Sequence, residues 1–379
     1  MRLNCSQQAF LALVKAGIWG KDVELRIYGT TDFDEIMRFA EEQSVVGLVT
    51  AGLERVVDVK VPQEWVLQFI GETLQIEQQN QAMNKFVARL IDRLCQEDVY
   101  AILVKGQGIA QCYEKPLWRS SGDVDLLLSE KNYQRANQML SPIATSVDEE
   151  IVNRRHIALT IDGWTVELHG SLKCGLWRNV NRLLDKVQNA VFYEGKVRSW
   201  VNERTQVFLP APDEDVILVF SHILQHFFKE GVGLRQICDW CRLLWTYRDS
   251  IDRTLLESRI QMAGVISEWR AFAALATKYL GMPIEAMPLF NENDNHNDKL
   301  KRKADKIMEF VLECGNFGHN RDYSYYEKYP YVVFKVISLW RHITDTFRYF
   351  RIFPIDSMKV LWRKICVGVS VAIRGGRHE

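Results

Sequence analysis

The sequence predicts an α+β fold, in which a small mixed sheet has flanking helices and lies between two helical regions. Two apolar, β-branched runs of strand length, Val99 to Val104 and Val124 to Leu128, predict the first strands. Asp162-Gly163 stands between two segments of alternating polarity, which is a strong hairpin signal. Helical periodicity dominates the chain before and after this part.

Residues 1–98 form the predicted N-terminal helical region. Apolar spacing predicts a helix over Ser6 to Ala16, and Thr31 or Asp32 can cap a second helix. A long helix is predicted over Gln63 to Gln96, with an apolar stripe that we expect to lie against the sheet. The stripe consists of Met83, Phe86, Val87, Leu90, Ile91 and Leu94.

Residues 99–205 form the predicted α/β core. The first strand ends at a turn, Lys105-Gly106, and helices are expected over Gly108 to Tyr113 and Glu130 to Leu140. The strands Ile157 to Ile161 and Thr165 to Leu168 form the predicted hairpin.

Residues 206–379 form the predicted C-terminal helical domain. The polar segment from Asn291 to Lys299 is expected to be a surface loop between helices. Aromatic and basic residues alternate from Tyr329 to Glu379. This pattern fits a helix with an aromatic core face and basic residues that reach solvent, or a surface for nucleic acid or a membrane.

Two carboxylates, Asp123 and Asp125, belong to the second predicted strand. Side chains two residues apart on a strand point to the same face, so both acids share one face. Neighbouring buried carboxylates repel each other and lose solvation, which a divalent cation between them relieves. Oxygen ligands of this kind suit Mg²⁺. The alternative is an edge strand whose acids point into water.

A third carboxylate lies in the segment from Trp164 to His169. Strand alternation places Glu167 and His169 on the face opposite to its apolar residues. Three carboxylates on paired strands can hold two metal ions about 3.5–4 Å apart, the arrangement used for in-line attack on a phosphate.

Three motifs together resemble a nucleotidyltransferase family of the DNA polymerase beta-like superfamily: Lys105-Gly106, the run R-x-x-G-D-x-D-L-L from Arg119 to Leu127, and Glu167-Leu168-His169. In that superfamily a Gly-Ser turn contacts the nucleotide phosphates, the D-x-D pair binds two Mg²⁺ ions and a third acid completes the site. Lys-Gly stands here in place of Gly-Ser. The similarity is expected to continue through the helix with His222 and His226 and through Gly315 to Gly318.

The resemblance implies that the mixed sheet is of the nucleotidyltransferase type. It also implies an NTP donor, Mg²⁺ (or Mn²⁺) as cofactor, and a set of site residues. The catalytic and metal-binding candidates are Asp123, Asp125 and Glu167, of which Glu167 either binds metal or acts as a general base. The candidates for binding the nucleotide are Lys105, Gly106, Arg119, Ser120 and Ser121.

The nucleotide-binding candidates have simpler alternatives. A lysine at a strand end is usually solvated, and Gly106 fits an ordinary turn. Arg119 can hold the acid cluster instead of a phosphate. For His169 the pattern fits two roles equally well: a hydrogen-bond partner of the site residues, or a catalytic group.

Further along the chain, two pairs of residues with a spacing of four carry polar groups. His222 and His226 share a helix face and suit a packed interface or the cleft better than zinc, because no H-E-x-x-H arrangement is present. Arg235 and Asp239 can form an ion pair on a helix surface.

Composition narrows the function classes. The 48 basic and 48 acidic residues balance, so no whole-molecule field attracts nucleic acid, which argues against a processive polymerase. The eight cysteines lack the spacing of a disulfide scaffold, and Cys238 and Cys241 are expected in a helical core. With neither a signal sequence nor a membrane span in the pattern, we expect a cytoplasmic location.

Two hypotheses follow. The first is a Mg²⁺-dependent enzyme that transfers a nucleoside monophosphate from an NTP to a hydroxyl or phosphate of an acceptor, which can be a small molecule, a protein or an RNA. The second is a non-catalytic nucleotide-binding regulator or scaffold with the same fold. Retention of three acids disfavours the second, because buried carboxylates without metal cost stability. RNA end modification through the basic, aromatic C-terminus is a third, weaker hypothesis.

Overall fold

The computed structural model describes residues 3–152, 154–229, 231–320 and 331–363. Its centre is a seven-stranded mixed sheet with the order β3-β4-β5-β2-β1-β7-β6. The strands are β1 Ala101–Val104, β2 Asp123–Leu128, β3 Ser146–Val147, β4 His156–Ile161, β5 Trp164–His169, β6 Val197–Asn202 and β7 Thr205–Pro210. The sheet and its flanking helices confirm the α+β class.

Helices precede, cover and follow the sheet. They are α1 Cys5–Trp19, α2 Phe33–Glu42, α3 Val46–Leu53, α4 Gln63–Gln96, α5 Gly106–Ala110, α6 Glu130–Leu140, α7 Arg178–Tyr193, α8 Pro212–Lys229, α9 Leu234–Thr246, α10 Arg253–Ala263, α11 Ile266–Leu280, α12 Glu292–His296, α13 Asp298–Cys314 and α14 Tyr331–Phe350. Residues 354–363 are also helical. Within the described ranges, none of the helices is long and apolar enough to cross a membrane.

Strand β2 occupies the middle of the sheet. It runs antiparallel to β1 on one side and parallel to β5 on the other. In this register Asp125 lies directly opposite Glu167. The sheet therefore brings together two segments that are about forty residues apart in the chain.

The long predicted helix has the same bounds as α4, and its apolar stripe packs on the sheet as expected. Asp32 caps α2 through its side chain, which accepts a hydrogen bond from the backbone N–H of Glu35. The predicted helix over Gly108 to Tyr113 is wrong in its bounds, because α5 begins at Gly106 and ends at Ala110. The chain then turns so that the segment before β2 can run back toward α4.

The hairpin formed by β6 and β7 was missed by the sequence analysis. Its two-residue turn, Glu203-Arg204, contains no glycine, asparagine or aspartate, and Glu203 adopts a positive φ of 56° there. β7 pairs in parallel with β1, so the sheet continues to Pro210. A boundary at residue 205 would cut this hairpin. The division into three regions otherwise stays a prediction.

The predicted loop from Asn291 to Lys299 is wrong in part. It contains the short helix α12, which Asn291 caps, and Asn297 caps the start of α13. The asparagines that suggested a loop are helix caps here, which is their favoured position.

The aromatic C-terminal segment divides into two sets of residues. Tyr349, Ile352 and Phe353 are buried, whereas Trp340, Phe347 and Trp362 are exposed. The expected aromatic core face is therefore present over part of this segment. Residues 321–330 and 364–379, which complete the predicted basic, aromatic stretch, lie outside the described residues.

The two faces of the sheet are covered differently. α4 and α6 lie on the face that contains Val124, Leu126 and Leu128. On the other face, α7 and α8 cover Ile102 and Leu127 among other apolar residues. Asp123 and Asp125 share this second face with Leu127.

Candidate active site

Three carboxylates meet on the second face of the sheet. Asp123 and Asp125 belong to β2, and Glu167 belongs to β5. One carboxylate oxygen of each lies within 4.8 Å of those of the other two. The structure thus brings together the three acids that the sequence analysis selected, because strand alternation and the β2–β5 register act together.

Two basic side chains already contact Asp125. Lys105 Nζ lies 2.9 Å from Asp125 Oδ1, and His169 Nε2 lies 2.7 Å from the same oxygen. Burial raises the pKa of Asp125, but the charge of Lys105 and the bond from His169 outweigh it and hold this pKa below its usual value. Asp125 is therefore ionised at neutral pH although its side chain is 2% exposed.

Glu167 contacts two histidines. His156 Nε2 lies 3.1 Å and His169 Nε2 lies 3.3 Å from Glu167 Oε2. Burial raises the pKa of Glu167, but the bonds to His156 and His169 lower it far more, so this carboxylate is ionised as well. For His169, burial lowers the pKa while Asp125 and Glu167 raise it, and the net shift is upward.

The sequence analysis did not select His156. The hairpin turn at Asp162-Gly163 pairs Ile161 with Trp164, and counting outward from that turn pairs His156 with His169. The signal was therefore available in the predicted hairpin. The predicted strand begins at Ile157, where the apolar alternation begins, and so excludes His156.

Asp123 differs from the other two acids. It is half-buried, and the neighbouring charge of Asp125, followed by burial, raises its pKa. The charges of Lys105 and Arg235 oppose this rise without cancelling it. The site thus contains two firmly ionised carboxylates and one that is destabilised by its neighbours, which is the electrostatic situation that an added cation relieves.

The Lys105-Gly106 turn has an unusual backbone. Lys105 adopts a φ of 58° and Gly106 a φ of 38°. For a residue that has a side chain, a positive φ costs free energy of order 1–3 kcal/mol, whereas glycine accepts it readily. A strained lysine whose side chain reaches the acid cluster is typical of a functional position.

Arg119 is positioned differently from the prediction that it binds a phosphate. Its Nε and Nη2 donate to the two carboxylate oxygens of Asp239, at 2.8 and 2.7 Å. Its Nη1 donates to Ser121 Oγ. Both partners are almost completely buried. The guanidinium thus donates four hydrogen bonds to protein groups, because the fold brings α9 against the segment that precedes β2.

The predicted surface ion pair between Arg235 and Asp239 is also wrong. Asp239 is buried and pairs with Arg119, and it accepts a hydrogen bond from the Tyr113 hydroxyl. Arg235 instead donates to the backbone carbonyl of Ser120 at 2.8 Å. Helical spacing of four allows such a pair, but a partner 120 residues away in sequence supplies better geometry.

Close to the acids lies a group of aromatic and basic side chains from α8, α9 and the turn after α13. His222 and His226 lie with ring centres 4.2 Å apart, and the ring of Phe317 is 4.6 Å from that of His226. The guanidinium of Arg235 lies 5.5 Å from the ring of Phe317. We call these four residues the aromatic wall.

The aromatic wall is electrostatically linked to the acid cluster. Burial, followed by the charges of Lys105, His226 and Arg235, lowers the pKa of His222 well below its ordinary value. His222 is therefore neutral at pH 7. Phe317 is 38% exposed and has a positive φ of 51°, so an aromatic ring is presented from a strained turn.

The CysXXCys pair in α9 is structural. Cys238 and Cys241 are completely buried in the helical core, as expected. Burial and the neighbouring Cys241 raise the pKa of Cys238 well above the ordinary thiol value. Neither thiol has the exposed, electropositive surroundings of a reactive cysteine.

Adjacent strands of a mixed sheet that present an Asp-x-Asp pair and a third acid to each other define an α+β protein of the nucleotidyltransferase type. A family model described as "uncharacterised nucleotidyltransferase" matches residues 29–281, and the chain belongs to this family. No curated protein and no solved structure matches the chain. The match ends at Gly281, so the turn with Phe317, which we expected within the resemblance, lies outside it.

Proposed function

We propose that this protein is a Mg²⁺-dependent nucleotidyltransferase that moves a nucleoside monophosphate from an NTP to a hydroxyl or phosphate of an acceptor. The observation that carries the proposal is the convergence of Asp123, Asp125 and Glu167, with oxygen atoms within 4.8 Å of one another. Family membership supports the reaction class. The acceptor is a small molecule, a protein or an RNA.

The three carboxylates fit a hard divalent cation. They supply only oxygen ligands, and ionisation of Asp125 and Glu167 at neutral pH leaves those oxygens free of protons. Mg²⁺ or Mn²⁺ bound there would supply positive charge to the transferred phosphate and its leaving group. The lowered pKa of Glu167 makes it a poor proton acceptor, which favours the ligand role over the general-base role.

Lys105 is the residue that we propose to neutralise the triphosphate. Its ammonium group already lies at the edge of the acid cluster, and its pKa is raised because Asp125 outweighs the effect of burial. Gly106 allows the backbone to adopt the positive φ that brings this lysine inward. Ser120 and Ser121 remain candidates for phosphate contacts, whereas Arg119 acts by fixing the segment that carries them.

The aromatic wall supplies a surface for a flat ring. The exposed ring of Phe317 offers stacking and Arg235 offers a charge close to Ser120. Base stacking on an aromatic side chain contributes about 1–3 kcal/mol per base. We therefore propose that the nucleotide base or an aromatic acceptor contacts this wall while the phosphates lie toward the acids.

The test is transfer of label from α-³²P-labelled NTPs, with Mg²⁺ or Mn²⁺, to components of a cell extract. Asp125→Asn is expected to abolish transfer, and Asp162→Asn serves as a matched control because Asp162 is 67% exposed in the β4–β5 turn. Transfer that continues in the Asp125→Asn variant would overturn the proposal.

One observation favours the second hypothesis, a non-catalytic nucleotide-binding regulator or scaffold. Lys105, His156 and His169 contact Asp125 and Glu167 without any metal, and the charge of Lys105 offsets part of theirs. The stability argument against this hypothesis is therefore weaker than the sequence suggested. Calorimetry with NTP and Mg²⁺ separates the two, because nucleotide binding without transfer to any acceptor supports the regulator.

The reducing compartment expected from the sequence remains part of the proposal. Cys5, Cys95, Cys112, Cys174, Cys238 and Cys241 are free thiols, which fits a cytoplasmic location where NTPs and Mg²⁺ are available.

A further inference from the structure

Beside the three carboxylates lies a second group of potential ligands, which contains nitrogen. His156 on β4 and His169 on β5 are directly opposite each other in the sheet, and both side chains project on the face that carries Glu167. Their ring centres lie 4.7 Å apart. All three residues are partly accessible, with side chains 15–27% exposed.

The ligand atoms of this group point at one another. The Nε2 atoms of His156 and His169 lie 3.1 and 3.3 Å from the same oxygen, Glu167 Oε2. One ligand atom of each of the three residues lies within 4.8 Å of those of the other two. With metal–ligand distances of about 2.1 Å, neighbouring ligand atoms lie about 3.0 Å apart in an octahedron and about 3.4 Å apart in a tetrahedron. Both nitrogen–oxygen separations fall in this range.

The chemistry of the group differs from that of the carboxylate cluster. Two imidazoles and one carboxylate suit Zn²⁺ and other divalent transition metals, whereas an all-oxygen set suits Mg²⁺. Glu167 belongs to both groups, and its second oxygen remains available to an ion held by Asp123 and Asp125. When His169 binds a metal through Nε2 it leaves Asp125, which keeps its ion pair with Lys105.

We propose that His156, Glu167 and His169 form a second cation site, selective for divalent transition metals and joined to the carboxylate cluster through Glu167. The same distances also fit two imidazole rings that only hydrogen-bond to Glu167. The two arrangements differ in one measurable property, the presence of nitrogen in the first coordination shell of a bound ion.

The test is pulsed EPR on the full-length protein with Mn²⁺ alone, without nucleotide. The wild type is expected to show ¹⁴N couplings of directly bound imidazole, and these are replaced by ¹⁵N couplings when the protein is produced with ¹⁵N-histidine. The labelled wild type makes the test independent of whether any variant folds. A Mn²⁺ spectrum without histidine couplings at saturation would overturn the proposal.

Variants then locate the nitrogen ligands. His156→Asn and His169→Asn are each expected to remove one of the two couplings, and Asp123→Asn is expected to keep both. His296→Asn is the matched control, because His296 lies on α12 and outside the group. Couplings that persist unchanged in both of the first two variants would place the ion at other histidines and contradict the proposal.

Affinity for Zn²⁺, measured by calorimetry, gives a second readout. Loss of a partner that merely orients a ligand already weakens metal binding about 10–100-fold, so loss of His156 as a ligand is expected to weaken it at least tenfold. Mg²⁺ affinity is expected to stay unchanged in His156→Asn. Equal Zn²⁺ affinity in the variant and the wild type would contradict the site, whereas failure of nucleotidyl transfer would leave it standing.

Discussion

Two clusters of charged residues, on either side of Ser121 and Gly122 in the chain at Arg119 and Asp123, differ in what surrounds them. In one, Arg119 and Asp239 join through two hydrogen bonds, and their side chains are 6% and 7% exposed. In the other, Asp123, Asp125 and Glu167 lie beside Lys105. The first cluster has one opposite charge for each group. The second has three carboxylates around one lysine.

This difference separates a structural ion pair from a site. A buried guanidinium that donates to both oxygens of one carboxylate has no donor left for a ligand in that direction. A carboxylate whose partner is a flexible lysine can exchange that partner for a metal ion or lose it to a phosphate. The sequence motifs make both Arg119 and Lys105 candidates for binding the nucleotide, and only the surroundings distinguish them.

The largest expected effect on stability comes from breaking the buried pair. Asp239→Asn leaves the Arg119 guanidinium buried without its counter-charge, which is expected to cost about 3–5 kcal/mol of unfolding free energy. Chemical denaturation followed by circular dichroism measures this loss. A change below about 1 kcal/mol would mean that the pair contributes little to the stability of the fold.

The opposite behaviour is expected in the acid cluster. Asp123→Asn removes a carboxylate whose pKa is raised by Asp125, so it relieves repulsion and leaves the melting temperature unchanged or higher. Nucleotidyl transfer is expected to fall about 10²–10³-fold, or ~3–4 kcal/mol in activation free energy. Thermal denaturation and the transfer assay on one sample check both parts. Clear destabilisation would erase the contrast with Asp239.

A smaller effect is expected at the aromatic wall. Phe317→Leu keeps an apolar side chain but removes the ring, and it is expected to weaken NTP binding by about 1–3 kcal/mol. Because the wall is distant from the reacting phosphate in our proposal, KM rises while kcat changes little. The control is Phe347→Leu, which removes an exposed ring from α14. An unchanged KM with a lower kcat would contradict a stacking role.

Glu268 is a third kind of buried ionisable group, because among the described residues it has no basic partner in a hydrogen bond or ion pair. Glu268 is completely buried, and its carboxyl group lies beside that of Asp356. Burial, with Asp356 close by, raises its pKa to about 9. The folded protein then keeps a proton that the unfolded chain releases near its ordinary pKa, so stability falls as pH rises between these two values.

The slope of that fall is at most about 1.4 kcal/mol per pH unit. Melting temperatures measured from pH 5 to 8.5 are expected to fall in the wild type and to stay flatter in Glu268→Gln. Parallel curves for the two proteins would show that Glu268 releases its proton in the folded state.

The smallest effect is expected from an exposed helix pair. Arg38 contacts Glu42 on α2 at 2.7 Å with 53% of its side chain exposed. Arg38→Ala is expected to change the unfolding free energy by a few tenths of a kcal/mol, since such pairs contribute little in water. A loss comparable to that of Asp239→Asn would show that exposure does not distinguish the clusters.

Local periodicity accounts for the parts of the fold and site that could be predicted. The α4 stripe and the common face of Asp123 and Asp125 each follow from a repeat within one element. The β4–β5 hairpin follows from its Asp-Gly turn, which also fixes the pairing of His156 with His169. These features depend on residues close together in the chain.

Long-range contacts account for what could not be predicted. The partner of Arg119 is 120 residues away, and Phe317 reaches the site from the turn after α13. Helical spacing suggested a different partner for Asp239, because local pairs are visible in a sequence and tertiary pairs are not. The parallel register of β2 with β5, which places Asp125 opposite Glu167, likewise depends on the whole sheet.

The central claim is that the three carboxylates hold the metal for a nucleotide bound beside Lys105. A crystal structure with Mn²⁺ and a non-hydrolysable NTP tests it most directly, because anomalous scattering identifies the ion. The account predicts an anomalous peak about 2.1 Å from oxygens of Asp123 and Asp125, with the triphosphate near Lys105 and Gly106. Nucleotide bound elsewhere, with no ion in contact with these carboxylates, would contradict it.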